Sequence, residues 1–217
     1  MKRILKANWL ILVLVFCNSI QSLSAQALKD VFTSSETSIL YLGIDYTRVR
    51  LIGEASITGI EMRDKYFPGI NNVVVNEPQR YDLAKAFNKT TINNDLGIVT
   101  KRNSKMNAED ILSTNSSDYS RLTEADINNL VKGIDFEKKQ GLGLLFIVEG
   151  MSKFAKGASI WVTFIDMGAK KVLMTERIES KSNGGFSIRN YWANTIFNLI
   201  ETIEKKKYKE WKQKYGN

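Results

Sequence analysis

Hydrophobic positions in the last third of the chain repeat first with a strand period and then with a helical period. Residues 142–148 are apolar on both faces, residues 158–178 predict a β-hairpin that turns at Gly168, and residues 188–203 carry an apolar stripe. A strand that is apolar on both faces is covered on both sides. The stripe consists of Ile188, Trp192, Thr195, Ile196, Leu199 and Ile203. We expect this hairpin and a long amphipathic helix to close the core of a small domain.

The first half of the chain has weaker patterns. Residues 39–52 are rich in β-branched and aromatic side chains and predict one strand, and residues 96–102 predict a second. Residues 54–66 predict a helix that ends at Pro68, and residues 78–88 predict another.

A clear helix start lies at Thr123, which is followed by two acidic residues in the first turn. Its apolar stripe is Ile127, Leu130, Val131 and Ile134. The polar segments 26–38 and 103–120 are expected to be loosely held or to lie at the surface. The order of elements predicts one α/β (α+β) domain over residues 26–203, a single mixed β-sheet packed by helices.

The first 25 residues have the layout of a secretory signal peptide, with a basic start, an apolar run at 9–16 and small polar residues after it. The run is too short to span a bilayer, and we expect cleavage between Ala25 and Gln26. The only cysteine, Cys17, lies in this segment, and bulky Phe16 before it argues against a lipoprotein. Export without disulfides indicates a periplasmic or outer-envelope protein of a bacterium.

The formal net charge of +8 is unevenly distributed. The signal segment contributes +3 and residues 204–217 contribute +4, which leaves about +1 for the body of the chain. We expect residues 204–217 to form a basic, solvated helical extension. The alternative is weak contact of its lysines and aromatic residues with an anionic membrane surface or peptidoglycan. Nucleic acid is not an expected partner of an exported chain.

Residue types exclude several kinds of chemistry. The chain has no histidine and the mature chain has no cysteine, so histidine bases, thiol nucleophiles and Cys/His zinc sites are absent. The sequence contains no phosphate-binding loop, dinucleotide fingerprint or nucleophile elbow. We therefore expect no cofactor, no metal and no catalytic residues.

Four charged residues are the candidates for a ligand site: Asp45, Glu149 and Asp166 on predicted strands, and Arg189 at the start of the last helix. Together in one cleft they would serve a small-ligand-binding protein or an enzyme. Alternatively, each acid is solvated or paired with a basic residue. The turn at 184–187 also has two interpretations. It is either an anion site with Arg189, or a tight turn in which Ser187 caps the helix and Arg189 pairs with a strand acid.

Several stretches resemble known families. The segments YLGIDYTRVRLIG, NEPQRYDLAKAF, GLGLLFIVEGMSK and GGFSIRNYWA resemble a family of secreted proteins from Bacteroidetes. That resemblance covers nearly all of the mature chain and implies an envelope location, but it supplies no activity. Over the last hundred residues, the strand, the hairpin FIDMGAKKVLMTE and the helix resemble periplasmic domains of the CsgG, TolB amino-terminal and LpoB type. Their Asp-x-x-Gly turn is approximated by residues 166–169.

The leading hypothesis is an exported, non-enzymatic envelope protein that binds protein partners. The sequence does not predict an oligomeric state. The rival hypothesis needs the four charged candidates to converge in one pocket, so their positions discriminate between the two.

Overall fold

The computed structural model describes residues 26–217, so the predicted signal peptide and Cys17 lie outside the described residues. Within residues 26–217, a seven-stranded mixed sheet has helices on both faces, which confirms the predicted α/β fold. The strands are β1 (Ile39–Asp45), β2 (Arg50–Ile52), β3 (Asn93–Asn94), β4 (Leu112–Ser113), β5 (Leu142–Ser152), β6 (Gly157–Asp166) and β7 (Lys171–Lys181). The helices are α1 (26–33), α2 (Gly59–Glu61), α3 (Phe67–Asn76), α4 (Leu83–Ala86), α5 (Gly97–Asn103), α6 (Glu124–Lys132), α7 (Ile188–Thr202) and α8 (Tyr208–Tyr215).

Strand β5 is the centre of the sheet. It pairs along its whole length with β6, which pairs in turn with β7, so the predicted hairpin is confirmed. Both β1 and β2 run parallel to β5 along its other edge, one after the other. The predicted single strand 39–52 is therefore interrupted, because residues 46–49 leave the sheet between β1 and β2.

One face of the sheet packs against α7, and the predicted stripe of that helix is confirmed. Trp192, Ile196 and Leu199 are fully or almost fully buried in the larger of two hydrophobic clusters. Burial of apolar surface at about 25 cal/mol per Å² makes this helix a main contributor to stability. Helices α1, α3 and α4 add buried side chains to the same cluster.

The opposite face is covered by α5 and α6. The predicted cap at Thr123 and the stripe of α6 are confirmed. The prediction of a strand at 96–102 is wrong, because that segment forms α5. Asp95 accepts a hydrogen bond from the backbone N–H of Gly97 (2.9 Å), which favours a helix start, and the packing of Ile98 and Val99 outweighs their strand propensity.

The predicted helix end at Pro68 is also wrong. A π-helical turn (Met62–Tyr66) joins α2 to α3, and the helix continues to Asn76. Pro68 is tolerated because it lies in the first turn of α3, directly after the wider turn. In the predicted helix 78–88 only α4 is helical, and its cap is the Asp82 side chain.

Two segments expected to be loose or solvated are packed on the body. Phe32 in α1 is fully buried, although residues 26–38 are mostly polar. The last helix continues through a π-helical turn (Ile203–Lys207) into α8, where Trp211 is 2% exposed. The ring of Trp211 stacks on Phe87, with centroids 6.3 Å apart. The basic extension is therefore solvated on one side only. Within residues 26–217, no helix has the length and apolarity to cross a membrane.

Candidate functional site

Asp45 is the last residue of β1 and is fully buried. Its Oδ2 lies 2.8 Å from Nε of Arg102 in α5, and its Oδ1 accepts hydrogen bonds from the backbone N–H (2.8 Å) and hydroxyl (2.5 Å) of Thr47. Both carboxylate oxygens are thus engaged. The contacts anchor α5 to the sheet and hold the turn that follows β1.

Glu149 lies at an irregularity in the pairing of β5 with β6 and is also fully buried. Its Oε1 accepts a hydrogen bond from the Ser159 hydroxyl (2.6 Å), and its Oε2 accepts one from the backbone N–H of Leu122 (2.8 Å). Nη1 of Arg177 lies 3.7 Å from Oε1. The carboxylate therefore fixes the segment that leads into α6.

Asp166 and Arg189 lie far from these two acids. Asp166 ends β6 opposite Leu142, seven positions along β5 from Glu149, or about 23 Å at 3.3 Å per residue. Its Oδ1 accepts a hydrogen bond from the backbone N–H of Ala169 (3.0 Å) and stabilises the hairpin turn. Arg189 is exposed at the start of α7, on the other face of the sheet.

The turn at 184–187 follows the simpler of its two interpretations. Ser187 caps α7 by accepting a hydrogen bond from the backbone N–H of Asn190 (3.2 Å), and Trp192 is buried. The guanidinium of Arg189 donates to Oδ1 of Asn190 (3.1 Å) rather than pairing with a strand acid. The structure thus brings Asp45 and Glu149 onto one sheet face and leaves Asp166 and Arg189 elsewhere. The four do not form one cleft.

A cluster of basic residues that sequence reasoning did not select lies beside the interruption between β1 and β2. Three arginines, Arg48, Arg50 and Arg121, line a polar recess of about 100 Å³. Alternation of Arg48 and Arg50 with Val49 and Leu51 is visible in the sequence, but it is typical of a strand with one solvated face. The contribution of Arg121, from a distant loop, has no local signal.

The end of the sheet beyond the hairpin of β5 and β6 carries two exposed aromatic side chains. Phe154, in the hairpin turn, is 78% exposed, and Phe186, in the loop before α7, is fully exposed. The two loops are neighbours, because the backbone N–H of Ser182 donates to the carbonyl of Lys156 (2.8 Å). We call this region the aromatic end, comprising Phe154, Phe186 and the exposed basic residues Lys156, Lys181 and Arg189.

A separate cavity of about 210 Å³ lies at the outer edge of β1. It is lined by apolar and polar side chains that include Tyr41, Tyr81, Asp82 and Thr90. The hydroxyl of Tyr41 is buried without a hydrogen-bond partner among the described residues, and burial raises the pKa of this phenol.

Comparison with known proteins yields no match, either among protein-family models or among curated proteins. Within residues 26–217, no group of three or more acidic side chains is placed to hold a metal ion.

Proposed function

We propose that this chain is an exported, non-enzymatic protein of the bacterial envelope that acts by binding a protein partner. The observation that carries the proposal is the aromatic end, where Phe154 and Phe186 are exposed to solvent on two loops joined by the backbone hydrogen bond from Ser182 to Lys156. Large aromatic side chains at an exposed position are typical centres of protein interfaces. The engaged carboxylates of Asp45 and Glu149 support a structural role for the residues that the rival hypothesis needed.

The construction of the aromatic end favours binding without large rearrangement. The ring of Phe154 lies over Gly53, where an added Cβ would come within 2.5 Å of the ring. Gly53 also has a φ of +72°, a conformation that glycine adopts without strain. The hairpin turn is further held by Lys153, which pairs with Glu54 (3.1 Å) and lies 4.0 Å from the centroid of the Tyr191 ring. The Phe154 ring therefore sits on a supported surface.

The positive charge of the aromatic end favours a partner with an acidic surface. Among the described residues, Lys156, Lys181 and Arg189 lie within 4.0 Å of no carboxylate. A partner surface with an apolar pocket and an acidic rim would complement two phenylalanines surrounded by these cations. The predicted location places that partner in the periplasm or at the outer envelope.

Site-specific photo-crosslinking in the native envelope tests the proposal. A photoreactive amino acid at position 154 or 186 should give a discrete crosslinked species, because these side chains would enter the interface. The matched control is position 169, an exposed residue in the β6–β7 turn at the opposite end of the sheet.

The crosslink at position 186 should weaken when Phe154→Ser is introduced, since both rings contribute to one contact. Equal crosslinking at positions 154, 186 and 169, or no effect of Phe154→Ser, would contradict the proposal. Both residues are exposed, so the substitutions leave the core unchanged.

A further inference from the structure

The three arginines beside the interruption of the β1–β2 edge form a second, independent feature of this chain. We call it the arginine recess, comprising Thr47, Arg48, Arg50, Asn107, Asp110 and Arg121. Its volume of about 100 Å³ corresponds to about seven to ten water-sized groups at roughly 10–15 Å³ each. The recess thus has room for a small anion or for the anionic end group of a larger molecule.

The fold builds the recess by lifting four residues out of the sheet. The turn after Asp45 is closed by a hydrogen bond from the backbone N–H of Val49 to the carbonyl of Tyr46 (2.9 Å). Tyr46 and Val49 are buried and anchor the segment. Arg48 between them is therefore directed outward, and Arg50 follows at the start of β2.

Backbone carbonyl groups hold two of the three guanidinium groups. Arg121 donates from Nη2 to the carbonyl of Arg48 (2.5 Å) and from Nη1 to the carbonyl of Glu149 (3.1 Å). Arg50 donates from Nη1 to the carbonyl of Val49 (3.1 Å). Carbonyl groups orient a guanidinium without neutralising it, so the positive charge of the recess is retained.

The recess has an excess of positive charge. The lining contains three arginines and one acid, Asp110, a formal charge of +2, while Asp118, Asp126 and Glu149 act on these arginines from outside the lining. In the part of the chain that the structure describes, no carboxylate lies within 4.0 Å of Arg48, Arg50 or Arg121. Burial, followed by the positive charge of Arg50, lowers the pKa of Arg121. A bound anion reduces the repulsion between like charges that are held together in a partly buried site.

We propose that the arginine recess binds a tetrahedral dianionic oxyanion, a phosphate or sulfate group. A charge of −2 neutralises the lining residues, and guanidinium groups donate to such oxyanions through paired, charge-assisted hydrogen bonds. The group is either a free inorganic ion or an ester on a larger molecule, and the chemistry of recognition is the same in both cases.

Calorimetric titration of the mature protein with inorganic phosphate at low ionic strength tests the proposal. Binding should be saturable and should raise the melting temperature. The double variant Arg48→Gln/Arg50→Gln should weaken binding by at least about tenfold, because two charge-assisted donors are lost. The matched control Arg80→Gln/Lys132→Gln removes two exposed cations outside the recess and the aromatic end and should change affinity less than about twofold.

A second variant separates binding from folding. Arg121→Lys keeps the charge and loses the planar fork, so it should weaken phosphate binding while its circular dichroism spectrum stays native. Titration with sulfate and with glycerol phosphate distinguishes the sources: equal affinity supports a free ion, and tighter binding of the ester supports an esterified group. Absence of saturable binding, equal affinity in the recess and control double variants, or equally tight binding of acetate would overturn the proposal.

Discussion

Two buried asparagine side chains, Asn71 and Asn103, pair with backbone groups at the end of β1, where no neighbouring strand among residues 26–217 does so. The Asn71 side chain accepts a hydrogen bond from the backbone N–H of Ile44 (2.7 Å) and donates to its carbonyl (3.0 Å), as a paired strand would. The Asn103 side chain accepts from the backbone N–H of Tyr46 (2.8 Å). Both amides are buried, so they satisfy backbone groups that water cannot reach.

Replacing one of these amides should destabilise the protein. Asn71→Ala leaves the backbone N–H of Ile44 buried and unpaired, and we expect a loss of about 1–3 kcal/mol in the free energy of unfolding by urea denaturation. Asn72→Ala is the matched control, because Asn72 is the exposed neighbour in the same helix. Equal effects of the two substitutions would contradict this account of Asn71.

We expect Lys89 to make the free energy of unfolding depend on pH in the alkaline range. Its ammonium group is buried beside the end of α1, where it donates to the carbonyls of Val31 and Ser34, and burial lowers its pKa to about 8. The unfolded chain keeps this proton to about pH 10.5, so between the two values the unfolded state binds more protons. The free energy of unfolding should therefore rise as the pH increases from 8 to 9.5.

Urea denaturation at several pH values measures this slope. Lys89→Met should remove it, and Lys132→Met, at an exposed lysine, should retain it. The window stops at pH 9.5 because buried tyrosines such as Tyr46, whose pKa is raised by burial, contribute the opposite slope above it. A slope that is unchanged in Lys89→Met would show that another group is responsible.

At the scale of elements, α8 is a part of the core that also presents a basic outer side. Trp211 donates a hydrogen bond from its indole N–H to Oε2 of Glu176 in β7 (2.5 Å). Lys207 pairs with Oε1 of the same carboxylate (2.6 Å), and the hydrogen bond raises the pKa of this lysine. Lysines on the other side of the helix are exposed: Lys205, Lys206, Lys209, Lys212 and Lys214.

Trp211→Ala should therefore cost about 3–5 kcal/mol of stability, as expected for a large buried side chain. Thermal or urea unfolding measures the loss. Lys209→Ala, at an exposed position near the start of the same helix, is the control and should change stability by less than about 0.5 kcal/mol. A small effect of Trp211→Ala would indicate that α8 is dispensable for the core.

Because α8 is packed on the core, a test of whether residues 204–217 bind the envelope must keep that packing. Deleting residues 204–217 would remove Trp211 and unfold part of the core, so loss of binding would be ambiguous. Glutamine at the five exposed lysines preserves the packed face. If the tail contacts an anionic surface, these substitutions should release the protein from envelope fractions at low salt, and unchanged fractionation would exclude that contact.

The elements differ in how far the sequence predicts them. The sequence predicts five elements well, because their hydrophobic periodicity and their capping residues agree over many positions: β5, β6, β7, α6 and α7. The helix α5 is not, because Ile98 and Val99 favour strand and only tertiary packing selects the helix. Helix α1 is short, and the burial of Phe32 in it depends on partners supplied by the end of the chain.

For the candidate sites, the sequence identifies the type of residue but not its partner. Asp45 and Glu149 are correctly placed on strands, yet their engagement by Arg102 and by the backbone of Leu122 requires contacts across more than 25 positions. The arginine recess was missed for the same reason. Its third arginine approaches Arg48 from 73 positions away.

At the scale of the whole molecule, export can be tested directly. Expression of the full chain in a Gram-negative host should yield a mature protein in the periplasmic or envelope fraction, with Gln26 as its first residue by amino-terminal sequencing. Ala25→Trp, which places a bulky residue at the cleavage position, should leave an uncleaved precursor. A mature chain that begins at Met1 and stays in the cytoplasm would contradict the predicted location.

The contact between α1 and α8 has a consequence for biogenesis. Phe32 packs against Tyr208 and Trp211, and the hydroxyl of Tyr208 donates to the carbonyl of Phe32 across 176 positions (3.4 Å). If the chain is exported as proposed, the Phe32 ring stays uncovered until residues 208–215 have crossed the translocation channel. Closure of this aromatic contact is thus expected to be a late event in folding.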